Sequence, residues 1–305
     1  MDKRVSMLQL MLVLLVVFVF ITLTDVSLLF GAVLLPFAVY FLVKLKDQSN
    51  YHFWLTFASF LIPAALLLSA DAWIWFVVLY IVAIVVHYTL KKELSQELTL
   101  FYVTATLMLS FIGILNLLQG LGVVQPISDT YLEIRGWYME QLQMYGTFAS
   151  DLDTDLIRTS LDQIFINIPA YITVIAFLLA LYTVLMQRVL FSSSHMKMWN
   201  YRSFKYWAFP RYVLYLFLVL FIVSFFTTEG TTAQSTIGNL LIVVEWILYI
   251  HGLSFSYFFF REKKLNMVIS ILLLIPLVIL RPLTILIGIF EMIFRIRTLL
   301  QLKRK

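Results

Sequence analysis

The stretch VSMLQLMLVLLVVFVFITL at residues 5–23, followed three residues later by SLLFGAVLLPFAVYFLV at 27–43, decides the solvent in which this chain folds. A bilayer core about 30 Å thick is crossed by roughly 17–25 apolar helical residues, and both stretches qualify. Further apolar segments at about 53–70, 72–90, 98–118, 165–190, 211–227 and 237–260 also reach that length, whereas 267–280 and 283–295 fall short. Composition agrees: 62 % of the residues are hydrophobic and 13 % charged, against about 25 % charged in a soluble domain. In lipid a backbone must satisfy its own hydrogen bonds, so the expected architecture is all-α. It is a polytopic transmembrane helix bundle of eight to ten membrane segments.

The basic residues give the sidedness. Lys3 and Arg4, Lys44 and Lys46, Lys91 and Lys92, the cluster Arg188, Lys197, Arg202, Lys205 and Arg211, then Arg261, Lys263 and Lys264, and finally Arg295, Arg297, Lys303, Arg304 and Lys305 occupy alternate connections. Asp25, Asp71, the acidic stretch 129–162 and Glu229 occupy the others. Basic loops stay on the cytoplasmic face, so both termini are expected inside, in a cell membrane. Met1-Asp2-Lys3-Arg4 ahead of an apolar run has the charge order of a signal sequence, but Phe18-Val19-Phe20-Ile21-Thr22-Leu23 offers no small-residue cleavage site. A retained first span is expected.

Three regions follow. Residues 1–124 hold five membrane helices; 125–163 form an extracytoplasmic acidic segment; 164–305 hold helices six to eight and a short final hairpin. In the middle region Tyr131, Ile134, Tyr138, Leu142, Tyr145, Phe148, Leu152 and Leu156 recur every three or four residues, which marks an amphipathic helix on the outer face. Seven acids there face only Arg135 and Arg158, and the segment reads either as a solvated linker or as a lid. The hairpin 267–295 has Arg281-Pro282 at its tip. With about 14 residues in each half, it either thins the bilayer or is re-entrant.

No cysteine is present, which excludes disulfides, thiolate metal sites and cysteine nucleophiles in this sequence. No basic patch with interleaved aromatics points to nucleic acid. Ser192-Ser193-Ser194-His195 lacks an acid at a fixed spacing, and Asp151, Asp153 and Asp155 lack the glycine turn of a calcium loop. Without a glycine-rich phosphate loop the chain is not by itself a nucleotide-driven pump, and no cofactor or metal is expected.

An ionisable group kept at membrane depth is the first place to look for function. Glu245 lies inside the eighth segment, and Tyr249, Gly252 and Ser256 share its helical face. It would hold a cation or a proton, or make a structural hydrogen bond to a neighbouring helix. His251 and Ser254 line a second edge. Asn116 and Gln119, with Asn167 and Pro169, flank the acidic segment, as a cavity mouth or as ordinary helix ends. Glu291 stands four residues before Arg295, the spacing of an intrahelical ion pair.

The run Tyr206-Trp207-Ala208-Phe209-Pro210-Arg211-Tyr212 resembles the aromatic-Arg-x-Pro-x-aromatic signature of the YybS-like family of uncharacterised bacterial multi-pass membrane proteins. Asn239, His251-Gly252-Leu253-Ser254 and the stretch from Leu286-Ile287-Gly288 to Phe294-Arg295-Ile296-Arg297 fit the same family. Ala208 stands where the family has arginine, His251 where it has glutamine, and Glu291 where it has aspartate. The resemblance implies a Gram-positive source and a fold similar to the substrate-binding subunits of energy-coupling-factor transporters, which depend on a partner ATPase.

Two functions follow. As a substrate-binding or transport component, the chain would bind a small molecule through Glu245, Tyr249, Gly252, Ser256, His251 and Asn239. Pro210, Arg211, Arg281, Pro282, Glu291 and Arg295 would then serve structure or gating. As a scaffold or regulator it would hold a cytoplasmic or membrane protein partner, besides membrane lipids, on its basic loops, where Trp199, Tyr201, Phe204, Tyr206 and Trp207 add aromatic surface. Single cysteines introduced at Lys46 and Lys263 are expected to react with an impermeant reagent from one side and a cysteine at Asp25 from the other. Labelling of Lys46 and Lys263 positions from opposite sides would overturn the arrangement.

Overall fold

The computed structural model describes residues 5–67, 70–145, 154–191, 203–228 and 231–302, and every regular element among them is helical. They divide into two compact units, one of residues 1–137 and 175–201, the other of 138–174 and 202–305.

In the first unit, serine punctuates the apolar run. Ser6 and Gln9 form a reciprocal capping box that starts α1 (Met7–Val26). Ser27 alone joins α1 to α2 (Leu28–Gln48): its N–H donates to Leu23 O while its Oγ accepts from Leu29 N–H. Ser49 likewise separates α2 from α3 (Asn50–Leu67). A methyl at Gly31 would lie 2.7 Å from Thr24 Oγ1, so the glycine lets α1 and α2 close on each other. Pro36 supplies no N–H inside α2, and the helix is braced there by α8 (Ile168–Leu190). Tyr182 OH donates to Val33 O at 3.1 Å and Gln187 Nε2 to Pro36 O at 2.6 Å.

Helices α4 (Ala70–Lys91) and α5 (Gln96–Gly120) complete the unit's long helices. The carboxyl ends of α2 and α4 meet: His87 Nε2 is 4.0 Å from Asp47 Oδ1. Lys46 beside them donates to Asn50 and lies 4.4 Å over the Phe53 ring. The two basic connections around 44–46 and 91–92 therefore lie at one end of this unit, as the charge pattern requires.

The acidic region forms two helices, α6 (Ile127–Tyr145) and α7 (Thr154–Ile166). The side chains of Tyr145, Phe148, Leu152 and Leu156 from its apolar stripe lie outside the described residues, while Ile134, Trp137 and Tyr138 are exposed.

In the second unit a short 3-10 turn, Phe204–Tyr206, precedes α9 (Tyr212–Ser224), and α10 (Thr232–Glu262) follows. The span expected over 211–227 is only the 13 residues of α9. Hydroxyls end it: Ser224 Oγ donates to Phe221 O and Thr227 Oγ1 to Ser224 O, competing with the helical pattern. Helix α10 is 31 residues long, or about 46 Å. The hairpin becomes α11 (Met267–Ile279) and α12 (Arg281–Phe294), bent 109° at Leu280, with α13 (Ile296–Leu302) after a left-handed Arg295.

By length and apolarity six helices among the described residues can cross a membrane, α1, α2, α4, α5, α8 and α10, with α11 and α12 together a broken span or a re-entrant loop. Adding α3 and α9 to these six gives the expected eight segments, and counting the two hairpin arms separately gives ten.

The tightest contact in this unit is between α10 and α12. A methyl at Gly288 would sit 2.5 Å from Leu248 O and 3.1 Å from Gly252 N, and one at Gly252 would overlap the Thr284 carbonyl. Small residues let helices approach to backbone contact in lipid. Around it pack Val213, Leu214, Leu220, Val244, Leu248 and Met292. Gly288→Ala is expected to destabilise the protein by about 1–3 kcal/mol through overpacking. Thermal unfolding in nanodiscs checks this, with Gly113→Ala, at an open position inside α5, as the control that does not destabilise.

Candidate functional site

Helix α10 carries three polar levels, each reaching a different neighbour. At the first, Asn239 is a clamp. Its Nδ2 donates to Ile166 O at 2.9 Å and Ser235 O at 2.7 Å, and its Oδ1 accepts from Ala170 N–H at 2.9 Å. The amide thus holds the joint between α7 and α8, where Asn167 continues the chain and Pro169 begins the new helix. Both donor hydrogens are engaged by the chain's own carbonyls.

At the second level α10 braces the break between α11 and α12. Ending α11 leaves carbonyls without helical partners, and side chains take them up. Tyr249 OH donates to Val278 O at 3.0 Å and Thr284 Oγ1 to Leu277 O at 2.5 Å. Arg281, the first residue of α12, reaches Glu245 Oε2 at 3.1 Å and lies 4.9 Å over the Trp246 ring. Pro282 stands in the first turn of α12, where its missing N–H costs nothing. The ion pair is about one-third exposed on both partners, so it is open rather than sealed. Arg281 Nε and Trp246 Nε1 are each buried without an acceptor.

The face anticipated around Glu245 is thereby divided. Tyr249 caps α11, Gly252 is pressed against Thr284, and Ser256 is buried with its hydroxyl on Gly252 O. Only Glu245, with Arg281, remains open. The cation expected at Glu245 has a resident, the Arg281 guanidinium.

At the third level a buried knot joins four segments. His251, 1 % exposed, accepts the Phe209 N–H at Nδ1 (3.2 Å) and so presents Nε2–H to the Glu291 carboxylate. The other oxygen of Glu291 is 3.5 Å from Arg297 Nε. Arg297 spreads its remaining donors over Lys205 O, Trp207 O, His251 O and Ser254 Oγ at 2.8–3.4 Å. Ser254 Oγ is also 2.7 Å from Phe204 O and 2.8 Å from Trp207 O. Burial lowers the Arg297 guanidinium from its usual range and the Glu291 carboxylate opposes that shift. Arg211 adds an outer tie, donating to Ile293 O at 3.1 Å.

The expected pairing of Glu291 with Arg295 is not formed. Arg295 adopts φ 50°, ending α12, and its side chain is exposed. Arg295 N–H still closes the last helical bond on Glu291 O, but the chain turns there and brings Arg297 back over the Glu291 carboxylate. Pro210 stands between Phe209, whose N–H meets His251, and Arg211, the N-cap of α9.

Several other anticipated residues stay apart from these levels. Asn116 Nδ2 returns to Ile112 O, and Gln119 Nε2 reaches Gln125 O at 3.5 Å, so each serves its own helix end. Ser192-Ser193-Ser194-His195, Lys197, Trp199, Tyr201, Arg202, Asp151, Asp153 and Glu229 lie outside the described residues, as do Lys3, Arg4 and the basic tail 303–305. No group of three His, Asp or Glu able to hold a metal occurs among the described residues. Trp246 and Thr284 had no sequence signal beyond their place in apolar runs.

Fold and site together define a polytopic, all-helical membrane protein in which the loop at 203–211 is tied to a broken helix. Residues 10–293 match the profile of a family described as "predicted membrane protein (DUF2232)", and the chain belongs to it. Neither the curated proteins nor the solved structures contain a match.

Arg297→Ala would leave Glu291 with His251 alone and free two loop carbonyls, and removing one partner of a buried pair costs about 3–5 kcal/mol. The variant is expected to unfold at lower temperature and to expose 203–211 to protease, while Arg295→Ala behaves as wild type. Equal behaviour of the two variants would refute the knot.

Proposed function

We propose that the chain is a membrane substrate-binding or transport component for a small molecule, without an ATPase of its own, and that the break between α11 and α12 is its site. The observation that carries this reading is the Glu245–Arg281 pair, one-third exposed at a helix break, beside two buried donors without acceptors. Non-helical backbone at membrane depth is tolerated inside protein or against a cavity, and transporters place substrates at interrupted helices. A partly exposed arginine–carboxylate pair offers a guest strong donors and strong acceptors side by side. The likeness to the YybS-like family and to the substrate-binding subunits of energy-coupling-factor transporters supports the same reading, with a separate ATPase partner, a Gram-positive cell membrane and cytoplasmic termini as parts of the proposal.

Protein purified with its native lipids is expected to retain a small molecule in native mass spectra, and Glu245→Gln is expected to lose most of it. Retention undiminished in that variant would remove Glu245 from the site, and the absence of any retained molecule from the wild type would count against the whole reading.

A second reading, a scaffold that docks a protein on its inner loops, draws on the knot. Arg297, Ser254 and His251 hold the 203–211 backbone in one conformation while the Tyr206 ring stays exposed. A pre-ordered loop binds a partner without the entropy loss of ordering it. Stable co-purification of a protein that is lost in Tyr206→Ser, with no small molecule retained, would favour this alternative.

A further inference from the structure

We propose that the adjoining ends of α2, α3 and α4 form a site for the phosphate of a monoanionic phospholipid, held by Lys46, Lys91 and Asn50. The inference is independent of the reading of the α11–α12 break, since these residues all belong to the first unit. Lys46 is fixed by its surroundings: its Nζ donates to Asn50 Oδ1 at 3.0 Å and lies 4.4 Å over the Phe53 ring and 5.5 Å over the Trp54 ring. Lys91, at the end of α4, is exposed, and its ammonium is close enough to act electrostatically on both Lys46 and His87. His87 in turn is 4.0 Å from Asp47. Membrane sidedness requires only that basic residues stay on one face. It does not require two ammonium groups from different helices to converge against their mutual repulsion. Lys44 and Lys92, in the same two connections, enter none of these interactions.

Charge and hydrogen bonding select the occupant. Two ammonium groups, Lys46 and Lys91, against the one carboxylate of Asp47 leave a single positive charge over when His87 is neutral. Lys46 commits one of its three hydrogens to Asn50, and the Asn50 amide, which accepts through Oδ1, keeps its Nδ2 hydrogens to give. A phosphodiester has the matching set, one negative charge for the surplus and several acceptor oxygens for the donors. A zwitterionic head group would bring a further ammonium to a place that already has one too many. What adjoins the cluster selects a lipid over a dissolved anion. Trp54 and Leu55 on α3, with Tyr88 and Ile81 on α4, are 37–50 % exposed. Indole and phenol rings favour the head-group level, and acyl chains cover these side chains while the phosphate above them meets the lysines.

The test records native mass spectra of the full chain in detergent against added phosphatidylglycerol and, separately, phosphatidylcholine. Wild type is expected to retain one phosphatidylglycerol more tightly than any phosphatidylcholine. Lys46→Gln and Lys91→Gln are each expected to weaken that retention about fivefold, the size of one lysine's attraction to an anionic membrane surface. Lys44→Gln and Lys92→Gln leave it unchanged, and Lys91→Arg, which keeps the charge, retains the lipid as wild type does. Should a glutamine variant fail to fold, wild type answers alone: phosphatidylglycerol must raise its melting temperature more than phosphatidylcholine does, and equal effects would overturn the inference. Equal weakening in all four glutamine variants would reduce the effect to general attraction, and undiminished retention in the double variant Lys46→Gln, Lys91→Gln would remove the site. Either result overturns the inference. So does displacement of the bound phosphatidylglycerol by inorganic phosphate, which would make the site one for a dissolved anion.

Discussion

Backbone contact between α10 and α12 at Gly252 and Gly288 is the constraint on which the second unit depends. In lipid, apolar side chains gain nothing by leaving one another's company for hydrocarbon, so helices are held by close packing and by interhelical polar bonds. Two glycines facing each other remove the side-chain layer that normally separates helix axes. Polar groups on either side can then span the short gap. Glu245 meets Arg281 at one end of the contact, and His251 meets Glu291 at the other.

The two pairs differ in the way they are finished. The His251–Glu291–Arg297 set is sealed, and its polar atoms have partners from the loop or from α13 except Arg297 Nε, which stands 3.5 Å from Glu291 without a hydrogen bond. Such networks define a unique geometry when complete. The Glu245–Arg281 pair is open and leaves buried donors over. One end of the contact therefore does the work of structure, and the other retains the capacity to bond something else. This asymmetry, more than the identity of any one acid, is what separates a tie from a candidate site.

Much of the architecture was legible in the residues. Helix positions followed from the apolar runs, and the break at Arg281-Pro282 from its arginine and proline between two such runs, because both are local signals. The serines that end α1 and α2, Ser27 and Ser49, carried no mark that set them apart from the runs around them. The partners of the polar residues were not legible either. Glu291 pointed to Arg295 by helical spacing, but the left-handed turn at Arg295 hands the contact to Arg297. His251 and Glu245 each find an acid or base 40 and 36 residues away, a separation that no periodicity encodes. Asn239 and Tyr249 had the composition of ligands and the surroundings of caps, a distinction that only the neighbouring carbonyls reveal.

The length of α10 has a consequence for depth. A rod of about 46 Å crossing a hydrocarbon slab of about 30 Å must lean by about 50°, beyond the usual range of helix tilt, or leave a turn or more in the headgroup layer. The turns suited to that layer are the amino-terminal ones, where Thr232, Gln234, Ser235 and Thr236 precede the apolar run. Asn239, with the α7–α8 joint that it clamps, then stands close to the level at which the apolar run begins.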